Sequence, residues 1–323
     1  MKRILVTGAL GQIGTELVPY LREKYGTDNV IASGKSANGS EKLIETGPFE
    51  VLDITMRERI TDLIGKHKIN TVYHLASMLS GTGEANPLGL WEVNLDGLIN
   101  ILEASRETGC SVFFPSSIAV FGPDSPKDKT PQNTITRPTS IYGISKITGE
   151  LLCDYYHNRY GLDIRGLRYP GVISNATLPG GGTTDYAVHI FYDAIRHGRY
   201  TCFLRENSSI DMIYMPDVLE GAVKLMEADP GKLRHRNAFN VSAITVTPSE
   251  LTEEIKKHIP DFKIDYDIDP VRQAIADSWP NSLDDTAARA EWGWEPGYNL
   301  EMMVEDMLKV LGARLKQTKS SAE

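Results

Sequence analysis

The stretch LVTGALGQIGTEL, residues 5 to 17, decides the fold. RILVTG reads as a β-strand and QIGTELVPYLREKYG as an amphipathic helix, with Gly8, Gly11 and Gly14 spaced through the junction. Glycines there allow a tight turn and let backbone N–H groups approach a pyrophosphate, which the positive end of the following helix attracts. Three glycines alone would also suit a mere tight connection. Their place directly between a strand and a helix favours a dinucleotide site.

Further along, NVIAS, FEVLD, TVYHLA, SVFFPSS and LDIRGLRYPG read as strands. Between them, MRERITDLIGKH, LWEVNLDGLINILEASRETG and SIYGISKITGELLCDYYHNRYG carry apolar residues at helical spacing. Such alternation calls for right-handed βαβ crossovers, hence an α/β fold with a doubly wound parallel sheet of the Rossmann type. The expected division is a dinucleotide-binding domain at 1–170. Residues 171–323 are expected to form mainly a smaller C-terminal substrate-binding lobe, with some segments returning to the Rossmann domain. The tail KQTKSSAE is polar and expected to fray.

Composition narrows the partners. The chain has 323 residues, 41% hydrophobic and 24% charged, as in ordinary globular proteins. A formal net charge of -9 argues against nucleic acid, whose phosphates call for clustered Lys and Arg. Cys110, Cys153 and Cys202 lie far apart without metal or disulfide spacing, so no metal is expected and a reducing compartment fits. No apolar run approaches the roughly 18 to 20 residues of a membrane span, so a cytoplasmic protein with no membrane partner is expected.

Dinucleotide folds place an acidic residue about 20 residues beyond the glycines, where it holds the adenine ribose. Here the segment reads VIASGKSANGS, with Ser33, Gly34 and Lys35 at that place. NAD is the expected cofactor, and the missing acid leaves NADP open, with Lys35 and its neighbouring serines as candidates to accept a 2′-phosphate. Asp53, closing FEVLD, is placed to meet the adenine; a strand-end turn carboxylate is its plainer reading.

FFPSSIAVFG ends an apolar strand with Ser116 and Ser117, and Tyr142 and Lys146 follow, four residues apart at the head of a helix. In a doubly wound sheet these face one crevice. Oxidising an alcohol sends a hydride to nicotinamide and a proton to a base, and tyrosine, with an unperturbed pKa of about 10, becomes a useful base only when a neighbouring cation favours its phenolate. Lys146 is the candidate cation, and Ser117 the candidate hydrogen-bond partner of the substrate oxygen.

Gly8-x-x-Gly11-x-x-Gly14, Asn94, Ser117 and Tyr142-x-x-x-Lys146 together resemble the extended short-chain dehydrogenase/reductase superfamily, over nearly the whole chain. The resemblance implies that Tyr142 is the catalytic acid/base, that Lys146 lowers its pKa and holds the nicotinamide ribose, and that Ser117 positions substrate. Ser117 is chosen over Ser116 because it lies four before Phe121, as in related segments; Ser116 is left to satisfy strand-end backbone. The resemblance also assigns cofactor contacts to Gly8, Gly11, Gln12, Ile13, Gly14, Asp53, Ile54, Leu75, Ala76, Asn94, Tyr142, Lys146, Tyr169 and Pro170. An N-x-x-G turn within a helix is the alternative for Asn94. A homodimer through the helices containing Leu98 to Ser105 and Tyr142 to Tyr156 is the superfamily's habit.

Nucleotide-sugar members of the superfamily carry an arginine that helps hold the nucleotide; the corresponding segment here is SIDMIYMPDVLEG, with Ile210 in its place. HLASMLSGTGE, GGGTTDYAVHIFYDA, FNVSAITVTPSEL and DSWPNSLDD instead resemble the short-chain type of L-threonine 3-dehydrogenase. That implies oxidation of the threonine 3-hydroxyl to 2-amino-3-ketobutyrate with NAD, and substrate contacts from Ser80, Thr184 and Trp279 alongside Ser117 and Tyr142. Ser80 could instead cap a loop, Thr184 or Asp185 a helix, and Trp279 could anchor the lobe. A nucleotide-sugar epimerase or dehydratase and a non-catalytic NAD(P) sensor are the competing functions.

Overall fold

The computed structural model describes residues 2–320, with side chains through 316. Its first half supplies seven strands: β1 (Ile4–Thr7), β2 (Val30–Gly34), β3 (Phe49–Val51), β4 (Thr71–His74), β5 (Ser111–Phe113), β6 (Ser116–Ser117) and β7 (Ile164–Arg165). Six of them form the central sheet in the order β3-β2-β1-β4-β5-β7, every pairing parallel. The order reverses between β1 and β4, and the crevice at such a switch point is where open α/β sheets bind ligands.

The sheet is covered on both faces, so its central strands are apolar on both sides. Leu5, Ile31, Val72 and Val112 pack on one face with Ile60, Leu63, Leu98 and Ile101. Ile4, Val6, Ala32 and Tyr73 pack on the other with Leu17, Leu21, Val218 and Ala222. The alternation follows from the two-residue period of a strand.

Two segments that read as single strands are each split. SVFFPSS breaks at Pro115, so that β5 stays in the central sheet and β6 leaves it. LDIRGLRYPG breaks at Gly166, where a β-carbon would lie 2.2 Å from the Phe114 carbonyl oxygen. The chain continues through β8 (Leu167–Tyr169), β9 (Gly171–Ile173), β10 (Arg199–Cys202), β11 (Ile210–Tyr214), β12 (Phe239–Asn240), β13 (Ile244–Val246) and β14 (Lys263–Tyr266). These build three small sheets, β6-β8-β12, β9-β11-β13 and β10-β14.

Residues after 171 divide between two cores. The helix Tyr186–His197 packs with Met303, Val304, Met307 and Leu311 of the helix Leu300–Ser320 in a core of the second half. The helix Met215–Glu227, with Trp292 and Trp294, joins the core on one face of the central sheet. The tail KQTKSSAE begins within the helix Leu300–Ser320, and its last three residues lie outside the described ones. Among the described residues, no helix is long and apolar enough to cross a membrane.

His74 closes β4 beneath the crevice, 2% exposed, with its Nδ1 2.9 Å from Thr7 Oγ1. Burial, and then the nearby Lys146 charge, pushes its pKa down to about 3. The unfolded chain protonates histidine near pH 6.5. Between those values the unfolded state binds more protons, so folding weakens as pH falls. Urea unfolding is therefore expected to show a lower midpoint at pH 5 than at pH 7, with a smaller drop in His74→Asn. An equal drop in both proteins would remove His74 as the cause.

Candidate active site

The turn after β1 is built from bare backbone. Gly8 has φ +68°, and a β-carbon on it would lie 2.5 Å from the Ala76 nitrogen. One on Gly14 would lie 2.4 Å from the Gly8 oxygen. Gly14 thus serves close packing of helix on turn. Gly11 N-caps the helix Gln12–Tyr25 without a side-chain hydrogen bond, leaving the helix's first N–H groups to meet a ligand.

Two cavities flank the turn. One is lined by Gly8, Gly11, Gly34, Lys35, Asp53, Ile54 and Ala76. The other, about 170 Å³, is lined by Gln12, Ile13, Leu75, Tyr169 and Pro170 together with Ser80, Ser117, Tyr142, Lys146, Thr184 and Trp279. It falls below the roughly 300 to 1,000 Å³ of sites for drug-sized ligands.

Ser140 caps the helix Ile141–Tyr160, its Oγ accepting from the Gly143 N–H at 3.1 Å. Tyr142 and Lys146 follow one turn apart on the face toward β6. Tyr142 and Ser117 line the same cavity, close enough for the serine to act on the phenol. The Lys146 ammonium donates to the Pro115 carbonyl at 2.9 Å and lies 5.5 Å from the centre of the Tyr142 ring.

The electrostatics differ from the expectation that Lys146 lowers the Tyr142 pKa. Burial pushes the phenol up to about 12, opposed only by Ser117. Burial also pushes Lys146 down to about 8, with Cys153 and Glu150 acting in the opposite sense. Desolvation is the largest effect on both groups, and the ammonium's hydrogen bond goes to the Pro115 carbonyl.

Ser116 also departs from its reading. Its hydroxyl donates to the Glu150 carboxylate rather than to strand-end backbone. Glu150 in turn takes two bonds from Arg168, at 2.9 and 2.7 Å, with both side chains buried. This ion pair lies one helical turn beyond Lys146. The sequence reading missed it; the spacing Lys146-x-x-x-Glu150 on a buried helix face was its available signal.

Asn94 lies in a π-helical stretch, Glu92–Asp96, of the kind that often marks functional sites. Its amide accepts from the Met78 N–H at 2.7 Å, donates to the Met78 carbonyl at 3.1 Å and donates to Ser145 Oγ at 3.2 Å. Those bonds fasten the loop before Ser80 to the helix of Tyr142. In this structure the side chain positions that loop.

Ser80, also on the cavity wall, heads the helix Ser80–Ala85 without capping it, since the cap position is Leu79. Asp185 occupies the cap position of the helix Tyr186–His197, yet its carboxylate turns back to accept from the Gly181 and Gly182 N–H groups at 2.8 and 2.7 Å. It lines the cavity beside Thr184. Trp279 lines the cavity and packs in the same core as the helix Tyr186–His197, in keeping with its anchoring reading. Ile210 is 1% exposed in that same core, with no cation at its position.

Residues 4–242 match the NAD dependent epimerase/dehydratase family. The chain belongs to that family. Within it, the chain is 50% identical to an uncharacterised epimerase/dehydratase of Staphylococcus saprophyticus, over 98% of this chain and 99% of the relative. The structure of an L-threonine dehydrogenase from Clostridium difficile is 52% identical, with a TM-score of 0.95, covering 97% of this chain and 98% of that one. The holo form of a GalE-like L-threonine dehydrogenase from Cupriavidus necator is 47% identical, with a TM-score of 0.93, covering 96% and 99%. This epimerase/dehydratase-family protein is thus an NAD-dependent enzyme, similar throughout to L-threonine 3-dehydrogenases.

The Glu150–Arg168 pair yields a stability test. Removing one partner of a buried pair strands the other charge, at a cost of roughly 3 to 5 kcal/mol. Arg168→Ala is expected to lose about that much unfolding free energy in urea, whereas a loss below about 1 kcal/mol, the scale of an exposed pair, would contradict the pair's structural weight.

Proposed function

We propose that the protein oxidises the 3-hydroxyl of L-threonine to give 2-amino-3-ketobutyrate with reduction of NAD. The observation that carries this reading is the convergence of Ser117, Tyr142 and Lys146 in one small cavity bordered by Ser80, Thr184 and Trp279. A dinucleotide would be held across the glycine turn, by Asp53 and Ile54 at its adenosine end and by Tyr142, Lys146 and Pro170 at its nicotinamide end, residues that line the two cavities. NAD supplies the hydride acceptor. Ser117 would hold the substrate oxygen, Tyr142 would take the hydroxyl proton, and Lys146 would hold the nicotinamide ribose. Ser80 and Thr184 meet the polar groups of the amino acid, whose burial would otherwise be costly. Ile210, where nucleotide-sugar enzymes use a cation, counts against a nucleoside diphosphate substrate.

The proton inventory sets a pH dependence. With Tyr142 at about 12 in the free protein, the phenolate is a minority species at neutral pH, and its share grows as pH rises. Oxidation is expected to show kcat/KM rising from pH 6 to pH 8. Tyr142→Phe should lower kcat by about 10²- to 10⁴-fold, the usual share of acid–base catalysis, while still binding NADH. Reduced-nicotinamide absorbance with L-threonine reads both; near-normal turnover by Tyr142→Phe would reject its role, and turnover of UDP-glucose but not threonine would reject the substrate.

We also propose a homodimer through the helices Gly97–Thr108 and Ile141–Tyr160. Ile99, Leu151 and Tyr155 stand 37%, 63% and 52% exposed on them, with Leu88 85% exposed just before the first. Light scattering should give twice the chain mass, and Leu151→Glu should lower it toward the monomer; a monomeric parent would reject this assembly.

A further inference from the structure

The adenosine end of the site departs from an NAD-selective pattern in this chain's own residues. At the end of β2, where a carboxylate would hold the ribose hydroxyls, Gly34 offers no side chain. The volume its β-carbon would enter is bordered by Leu10, whose Cδ1 would lie 3.0 Å away. Ser33 gives no substitute, being buried with its hydroxyl donated to the Val6 carbonyl at 3.1 Å. Asp53 is already engaged: one oxygen accepts from the Thr55 N–H at 3.0 Å and the Thr55 hydroxyl at 2.8 Å, and the other faces Lys35 Nζ at 3.0 Å.

Lys35 is therefore a cation held at the mouth of this cavity by an anchored carboxylate. Its side chain is 78% exposed, and ion pairs so exposed are weak, so the ammonium can leave Asp53 at little cost. A phosphate monoester carries more negative charge than a carboxylate, and the four-carbon stem lets the ammonium follow it. The carboxylate that would repel a 2′-phosphate is missing at Gly34, and Ser36 lines the same cavity with a further hydroxyl. Asp53 and Glu92 both act on Lys35 as acidic neighbours. Their presence limits any preference for a phosphate over a hydroxyl.

We propose that Gly34 and Lys35 make the adenosine site tolerant of a 2′-phosphate, so that the protein binds NADP(H) as well as NAD(H), with Lys35 as the phosphate contact. The proposal rests on the glycine turn being a dinucleotide site and is independent of the threonine reading.

Fluorescence titration of the full chain with NADH and NADPH, without substrate, tests it. The two dissociation constants are expected to lie within about tenfold, a difference of about 1.4 kcal/mol. Lys35→Ala should weaken NADPH by about fivefold or more and leave NADH within about twofold, as loss of one charge-assisted contact predicts. Gly34→Asp, which restores the carboxylate, should weaken NADPH by about tenfold or more while NADH still binds; that retained binding shows that Leu10 has made room for the side chain. NADPH binding about a hundredfold weaker than NADH in the parent, or equal losses of both ligands in Lys35→Ala, would overturn the proposal. No binding of either would overturn it together with the dinucleotide reading.

Discussion

A side chain at Gly8 or Gly14 would have to share space with backbone atoms of Ala76 and Gly8. That constraint brings the end of β1, the start of the first helix and the end of β4 within contact distance of one another. Both cavities open at this junction because the strand order reverses there. Several cavity residues sit where strands end at this point: Asp53 after β3, Leu75 and Ala76 after β4, Ser117 at the end of β6, Tyr169 at the end of β8 and Pro170 just beyond it.

The second organising feature is a set of charges taken out of water. Lys146, Glu150 and Arg168 are all buried, and each is held by a specific partner rather than by solvent. Glu150 and Arg168 neutralise each other beneath Ser116, which fixes the strand carrying Ser117. Lys146 is left nearest the phenol with a carbonyl as its ligand, and its depressed pKa reflects that burial. The same desolvation favours the protonated phenol of Tyr142 in the free protein, which is what makes the proposed acid/base role pH-dependent.

The first half of the fold was legible because its signals are local: a glycine-filled turn, β-branched runs and helical spacing. The trio Ser117, Tyr142 and Lys146 was legible for the same reason, since two short motifs lie on elements that meet at one sheet edge. The breaks at Pro115 and Gly166 were not. Gly166 is required by the Phe114 carbonyl, a contact no local pattern reveals. Nor could spacing show that the helix Met215–Glu227 and Trp292 return to the first sheet, or that the Asn94 amide would be spent on Met78 and Ser145. Those outcomes depend on long-range packing.

The proposed reaction carries the hydrogen on C3 of L-threonine to NAD as a hydride. The most direct test is the fate of the hydrogen on that carbon. Incubating the enzyme with NAD and L-threonine deuterated at C3, then weighing the reduced nicotinamide by mass spectrometry, should find the deuterium in NADH and an aminoketone product without it. Reduced nicotinamide lacking deuterium, or none formed by protein that binds NADH, would contradict oxidation at that carbon.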